Sequence, residues 1–445
     1  MATIGSLPTE ILSEIVTFVA HESFNPPFSL LTVSRGWRDT ILYHSPLAWA
    51  ALTIVCGIEA NIPLVSTIER SIRYSGAAPL FISLDLEGVL DQPIPILHPS
   101  SSILQNKYRI RELDIYDAEP WNLWNLVHFW PANHLLRLRI FQRQFTMPLE
   151  LLEFPLFQRN IPQAPKLYSL VLEGCKMDDG PASAIPSLRE LYMSSCAVSG
   201  EGLADIFKKC PNLQRLTLKH MLDGLGEEFT VESSLHELLE LQIVSCGVSA
   251  RKFRDALKMC PNLRTLSFRH INDSRFTSEP LGSAIAIDKN RDETVTANHM
   301  RQLELSSSRS IRLLQAIITP SLTRLSLRCL DVDGDLLAII SEFISHNSTN
   351  LQYLGLTLHA ETFHMALALP NMSRLVTLYV HLGNIGYHPR DMMKHTSLLE
   401  FNLQIRPPLD NRHIWEEISK ERAMFDISYY RTEDVCAIEG KRREP

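Results

Sequence analysis

Cys210-Pro211-Asn212-Leu213-Gln214-Arg215-Leu216-Thr217-Leu218-Lys219-His220 returns at an offset of 50 as Cys260-Pro261-Asn262-Leu263-Arg264-Thr265-Leu266-Ser267-Phe268-Arg269-His270. Cys-Pro-Asn-Leu is identical in the two copies, and apolar, polar, apolar, basic, His follows each time. The likeness reaches upstream to Ser195-Cys196 and Ser245-Cys246, and two units fit into the interval. Inside each copy lies a shorter phrase, apolar-x-x-apolar-x-apolar. It starts at Ile110, Leu135, Leu167, Leu188, Leu213, Leu238, Leu263, Met300, Leu322, Leu351, Leu375 and Leu398, mostly 21 to 32 residues apart. Weaker copies stand at Phe81/Leu84/Leu86 and Trp49/Leu52/Ile54.

In x-Leu-x-Leu, alternate residues point to opposite faces of a short strand, so the leucines turn inward and the x positions meet solvent. A return segment with helical spacing, such as Leu203/Ile206/Phe207 or Phe253/Ala256/Leu257, covers the other side and stops before Pro211 or Pro261. Neither piece buries its apolar side alone, so units must stack and the ends need caps. The period is that of a leucine-rich repeat solenoid. The fold expected is α/β, with parallel strands on a concave face, helices outside and a small all-α block in front. Residues 1–48 form that block, 49–404 the solenoid and 405–445 a cap and tail. Within the last segment, Ile414, Trp415 and Ile418 read as helix and Phe425 to Tyr430 as strand. Residues 272–299, rich in Asp, Ser, Thr, Arg and Glu, and the proline-bearing stretch 141–165 read as loops leaving the array.

With 45% apolar and 21% charged residues the chain reads as an ordinary globular protein, and a net charge of -7 gives no basic footprint for nucleic acid. The start, Met1-Ala2-Thr3-Ile4-Gly5-Ser6, lacks a signal-peptide pattern, and no long uncharged apolar run spans a membrane. An intracellular location, cytoplasmic or nuclear, is expected. Eight cysteines without a C-x-x-C pair point to packed thiols, with Cys175, Cys196 and Cys246 each at the ninth position of a repeat; no metal and no cofactor is expected. Sixteen histidines form no catalytic motif, and a Cys246 pair with His220 or His270 would have to use a ladder cysteine expected to be buried. No enzyme activity is expected.

The first fifty residues are helical in pattern. Glu10 follows Pro8 near a helix start, and Ile11, Leu12, Ile15, Val16 and Val19 form a stripe; Leu30, Leu31, Ser34, Trp37, Ile41 and Leu42 mark a second helical face after Pro26-Pro27. Leu7-Pro8, Glu10-Ile11-Leu12, Ile15, Val33-Ser34, Trp37-Arg38, Pro46-Leu47 and Trp49 together resemble the F-box motif. Ser34 stands where that family often has Cys, and Phe24-Asn25-Pro26-Pro27 looks like an insertion in the turn. Motif first and repeats after, the chain resembles the F-box/leucine-rich repeat proteins abundant in fungi. The resemblance implies a substrate-receptor subunit of a cullin-RING ubiquitin ligase of the SCF type. Leu7, Pro8, Ile11, Leu12, Ile15 and Trp37 would then bind a Skp-type adaptor, which connects to the cullin, or form the motif's core. The alternative is an interaction scaffold outside the ligase system, whose helical block only caps the array.

Positions 3, 5, 7 and 8 of each phrase are expected to face a bound protein of unknown identity. They supply Arg215, Lys219, His220, Arg269, His270 and Arg328, a basic strip on an acidic protein, with Tyr192, Tyr353 and Tyr379 beside it. Such a strip suits an acidic or phosphorylated peptide, since ammonium and guanidinium groups pair with carboxylate and phosphate oxygens.

Overall fold

The computed structural model describes residues 7–23, 26–56, 63–87, 101–117, 132–142, 152–153, 164–177, 184–198, 200–221, 235–246, 250–269, 294–329, 334–347, 349–358, 374–382, 400–405, 425–431 and 436–442. The chain is a mixed α/β protein built on parallel strands, one for each repeated phrase. It divides into two compact units, Met1–Leu213 with His220–Ser233, and Gln214–Lys219 with Ser234–Pro445.

The first unit opens with helices α1 (Thr9–Ser23) and α2 (Arg35–His44). Ser34 is the N-cap of α2: its φ is -161° and its hydroxyl accepts from the Trp37 amide at 3.2 Å. This gives the serine a role that a thiol, a weak acceptor, would fill poorly. Leu12, Val16 and Ala20 from α1 pack with Trp37, Ile41, Ala48 and Trp49. Across that core the Ser45 hydroxyl donates to Ser13 Oγ at 2.9 Å, and Trp49 Nε1 donates to the Ile41 carbonyl at 2.8 Å.

Strands follow directly: β1 (Ala51–Val55), helix α3 (Pro63–Tyr74), then β2 (Leu80–Asp85), β3 (Ile110–Tyr116), β4 (Arg137–Phe141), β5 (Ser169–Glu173), β6 (Glu190–Ser194) and helix α4 (Gly200–Lys209). Each strand from β1 to β6 pairs in parallel with the next. The weak copy at Trp49 is therefore a member of the array in the expected register; the one at Phe81 is corrected, because Ile82 and Leu84, not Leu84 and Leu86, lie opposite Leu52 and Ile54. Trp49 packs against Tyr74 of α3 with tilted rings 4.8 Å apart at their centroids, and His21 of α1 meets Phe81 of β2 at 4.8 Å, so the helical block seals the first strands.

In the second unit the strands are β7 (Arg215–Lys219), β8 (Glu240–Val244), β9 (Thr265–Arg269) after helix α5 (Ala250–Met259), β10 (Gln302–Ser306), β11 (Arg324–Cys329), β12 (Tyr353–Leu358) after helix α6 (Gly334–Asn347), β13 (Thr377–Leu382) and β14 (Glu400–Ile405). They too pair in parallel without a register shift. Strands β15 (Phe425–Arg431) and β16 (Cys436–Arg442) close the sheet as an antiparallel pair, β16 against β14. Phe425 to Tyr430 is strand as the pattern predicts; the helix expected around Trp415 lies outside the described residues. So does most of 272–299, although Val295–Thr296 pairs with Ile317–Ile318; in the other expected loop, Leu152–Glu153 pairs with Cys175–Lys176.

The inward positions are uniformly apolar and buried, as in Leu213, Leu216 and Leu218, then Leu238, Leu241 and Ile243, then Leu263, Leu266 and Phe268. The duplicated Cys-Pro-Asn-Leu serves the same stacking. Asn262 Nδ2 donates to the His236 carbonyl one repeat back at 2.8 Å and Asn212 Nδ2 to the Pro186 carbonyl at 2.9 Å; Asn350, in Ser348-Thr349-Asn350-Leu351, does the same to the Pro320 carbonyl at 2.7 Å. Leu216 is 3% exposed. Leu216→Ala is expected to lower unfolding free energy by about 2–5 kcal/mol in a denaturant titration, from lost transfer energy and the cavity left behind.

Candidate functional site

Two surfaces stand out, and the first is on α1. Its residues fall into two apolar stripes. Leu12, Val16 and Ala20, four apart, face the block's own core, with Leu12 6% exposed. Ile11, Ile15 and Phe18 lie one step around the helix and remain 43%, 38% and 66% exposed, preceded by exposed Leu7 and Pro8. A helix apolar on two sides needs cover on both to remove that area from water. Here one side has it.

This geometry sorts the six expected adaptor residues. Leu7, Pro8, Ile11 and Ile15 are on the open side. Leu12 and Trp37 fall to the other of the two expected roles: both are buried in the block's core rather than on the open side, because the stripe at 12, 16 and 20 is the one that meets α2. Trp37 Nε1 is buried with no hydrogen-bond partner among the described residues. Phe18 belongs to the open side and was not among the expected residues; its spacing of seven from Ile11 is the signal that marks it.

The second surface is the outward side of the strands. In the second unit, position 7 reads in register Lys219, Val244, Arg269, Ser306, Arg328, Thr357, His381 and Gln404. Arg269 and Arg328 are exposed, as is Arg215 at position 3 of β7. Arg269 Nη2 contacts both oxygens of Glu304 at 2.8 Å, and Ser267 Oγ donates to the same carboxylate at 3.0 Å. Along position 3 the Arg324 guanidinium sits 4.0 Å over the Tyr353 ring. Gly355 makes room for that ring: a Cβ there would lie 3.1 Å from two of its atoms. Tyr379 is half-buried on β13. Of the expected residues, then, Arg215, Lys219, Arg269, Arg328, Tyr353 and Tyr379 share the strand face of this unit.

Three do not join them. Tyr192 is on β6 of the first unit, and His270 lies outside the described residues. His220 is corrected: it follows the end of β7 at φ 49°, in the left-handed turn also adopted by Asp117, Ser195 and Ser245, with Gly174 at 70°. At these phrases position 8 turns the chain and presents no strand side chain, which suits small or polar occupants; in β11 to β14 position 8 stays in the strand as Cys329, Leu358, Leu382 and Ile405.

In the first unit, position 7 reads Val55, Asp85, Tyr116, Phe141, Glu173 and Ser194. Tyr116 stacks on Phe141 with 4.9 Å between centroids. Arg139 grips Asp114 through Nε at 2.7 Å and Nη2 at 2.6 Å, and Arg137 meets Glu112 at 2.9 Å. Burial raises the Asp114 carboxyl above its usual range, and Arg139 opposes that shift. Carboxylate oxygens of Asp85, Glu87 and Asp117 gather within 4.8 Å of one another at the edge of this face.

No family model matches the chain, and no curated protein matches it. Among solved structures, a crystal structure of a Bacteroides fragilis protein aligns with 53% of this chain at 13% identity and a TM-score of 0.26. The alignment covers 64% of that protein, less than two thirds of its length.

No described helix is long and apolar enough to cross a membrane. The ladder cysteines are buried free thiols that bridge units: Cys196 Sγ donates to the Leu172 carbonyl at 3.5 Å, and Cys246 Sγ to the Leu218 carbonyl at 3.7 Å. Burial pushes the Cys210 and Cys260 thiols up to about 12 from an ordinary 9.0. Both thiols are therefore neutral at physiological pH and poor nucleophiles. At pH 8, iodoacetamide is expected to leave Cys210 and Cys260 unmodified in the native protein and to label both in guanidinium, read by peptide mass spectrometry. Because their folded-state values are raised, the stability they contribute is complete below pH 9.0 and declines as pH rises toward about 12.

Proposed function

We propose that this chain is a substrate receptor of an SCF-type ubiquitin ligase, an F-box/leucine-rich repeat protein that works inside the cell. Its N-terminal helices dock onto a Skp-type adaptor and, through it, a cullin; its repeat strands hold a target protein. The chain itself supplies no catalytic group and no cofactor in this reading. It brings a target near the ligase's transfer machinery, and proximity is its contribution.

One observation carries the reading. The block has already met a cap's requirements through Trp49 against Tyr74 and His21 against Phe81, yet α1 still holds Ile11, Ile15 and Phe18 in water. Capping alone gives no reason for that second stripe. Burying each such side chain in a partner is worth roughly 1.5–3 kcal/mol, enough for three of them to anchor a protein interface. The ordered motif, from Leu7-Pro8 through Trp37-Arg38 to Trp49, adds the identity of the partner by resemblance. Those same contacts to Tyr74 and Phe81 favour a second reading, a scaffold in which the block only caps the strands.

Co-purification separates the two. Wild-type protein is expected to recover the Skp-type adaptor and cullin. Ile11→Asp/Ile15→Asp should weaken adaptor binding by about a hundredfold or more while leaving the melting temperature unchanged, since both side chains are exposed. Leu12→Ala should do the reverse and lower the melting temperature first. A wild-type protein that recovers neither adaptor nor cullin would leave the cap-only scaffold as the better account.

A further inference from the structure

Charge at one outward position of the strands is sorted by unit. At position 7 the second unit has Lys219, Arg269 and Arg328 and no carboxylate, whereas the first has Asp85 and Glu173 and no cation. In a chain with more acid than base, a row of one sign is not what a merely solvated surface requires. Its spacing is regular as well. Val244 separates Lys219 from Arg269 and Ser306 separates Arg269 from Arg328, so the cations fall on every second strand.

Paired strands lie about 4.8 Å apart, which sets the cations about 9.6 Å apart at the backbone. A ligand that engages all of them needs anions at that interval on one side. An extended β-strand offers same-side groups about 6.7 Å apart and turns the third residue away. A polyproline II segment offers every third residue on one side at about 9.3 Å. Its backbone has no internal hydrogen bonds, and it docks against aromatic surfaces. Tyr353, beside Gly355 on β12 and next to Arg324 of β11, provides such a surface on the strand that follows the last cation. The Glu304 contacts engage only Nη2 of Arg269, and the guanidinium has donors on its other nitrogens.

We infer that the outward face of the second unit binds an anionic peptide in polyproline II conformation, running across the strands with a phosphorylated or acidic residue at every third position. This deepens the receptor reading by naming a target class, and it rests on that reading only for the fate of the bound peptide. Binding itself needs no adaptor.

The test uses the full chain without adaptor and fluorescein-labelled synthetic peptides of one composition, followed by anisotropy in low salt. Three phosphoserines stand at every third position, in one cluster, or at every seventh position as on a helix; a fourth peptide is unphosphorylated, and a fifth carries Glu at every third position. Spacing by three, as phosphoserine or Glu, is expected to bind at least tenfold more tightly than the clustered peptide. Lys219→Glu/Arg328→Glu should abolish that preference with an unchanged melting temperature, while Lys208→Glu on α4 should not. The inference is overturned by indifference to spacing, by preference for the seventh-position peptide, by equal loss with Lys208→Glu, or by no binding to any peptide. An adaptor pull-down that succeeds while these peptides fail would remove this inference and leave the receptor reading standing.

Discussion

Burial of the two inward residues of each phrase against those of the phrases on either side is the interaction on which the rest depends. Leu216 and Leu218 of β7 lie in register with Leu241 and Ile243 of β8, which lie in register with Leu266 and Phe268 of β9. A slip of one residue would turn every leucine to water and every outward residue into the core. Register is therefore fixed by the most expensive failure available. Once it is fixed, the outward side chains have no freedom of address: Lys219, Arg269 and Arg328 must occupy one row, and Thr217, Ser267 and Glu304 another. The surface chemistry is a by-product of the core.

The same logic governs the front of the chain. A stack of strands ends in an edge that needs cover, and the helical block supplies it with Trp49, Ala50 and Ala51, all fully buried where helix gives way to β1. A small helical block buries little by itself, so fusion to the first strands stabilises it. That arrangement frees the far side of α1 from structural work. Ile11, Ile15 and Phe18 can remain exposed at little cost to folding, because the block's stability comes from Leu12, Val16 and Trp49.

Strand positions were legible in the sequence almost without loss, since alternation is a one-dimensional signal and the period repeats it. Trp49, where the phrase is degraded, still marks the threshold of β1, whereas the degraded phrase at Phe81 finds the strand but misses its register by two residues. The return helices at Leu203 and Leu257 were equally readable. What the sequence left open needs the third dimension. Ile11 and Leu12 are both apolar, adjacent and at helical spacing with later residues; which stripe meets the chain's own core depends on where α2 lies. His220 carries no local mark of the left-handed turn that removes it from the strand face. The Glu304 partner of Arg269 sits on the next strand, 35 residues away in sequence, and only register brings them together.

If the stacked phrases are the structural unit, the chain should tolerate the loss of a whole unit and fail on the loss of a part. Deleting residues 238–262 joins Glu237 to Leu263 and preserves the period, whereas deleting 238–249 removes a phrase and joins Glu237 to the start of the return helix at Ala250. Circular dichroism with thermal melting reads the difference. The whole-unit deletion is expected to retain the far-ultraviolet spectrum and a cooperative transition, and the partial deletion to lose the transition. Equal collapse of both would contradict an array held together by identical neighbours.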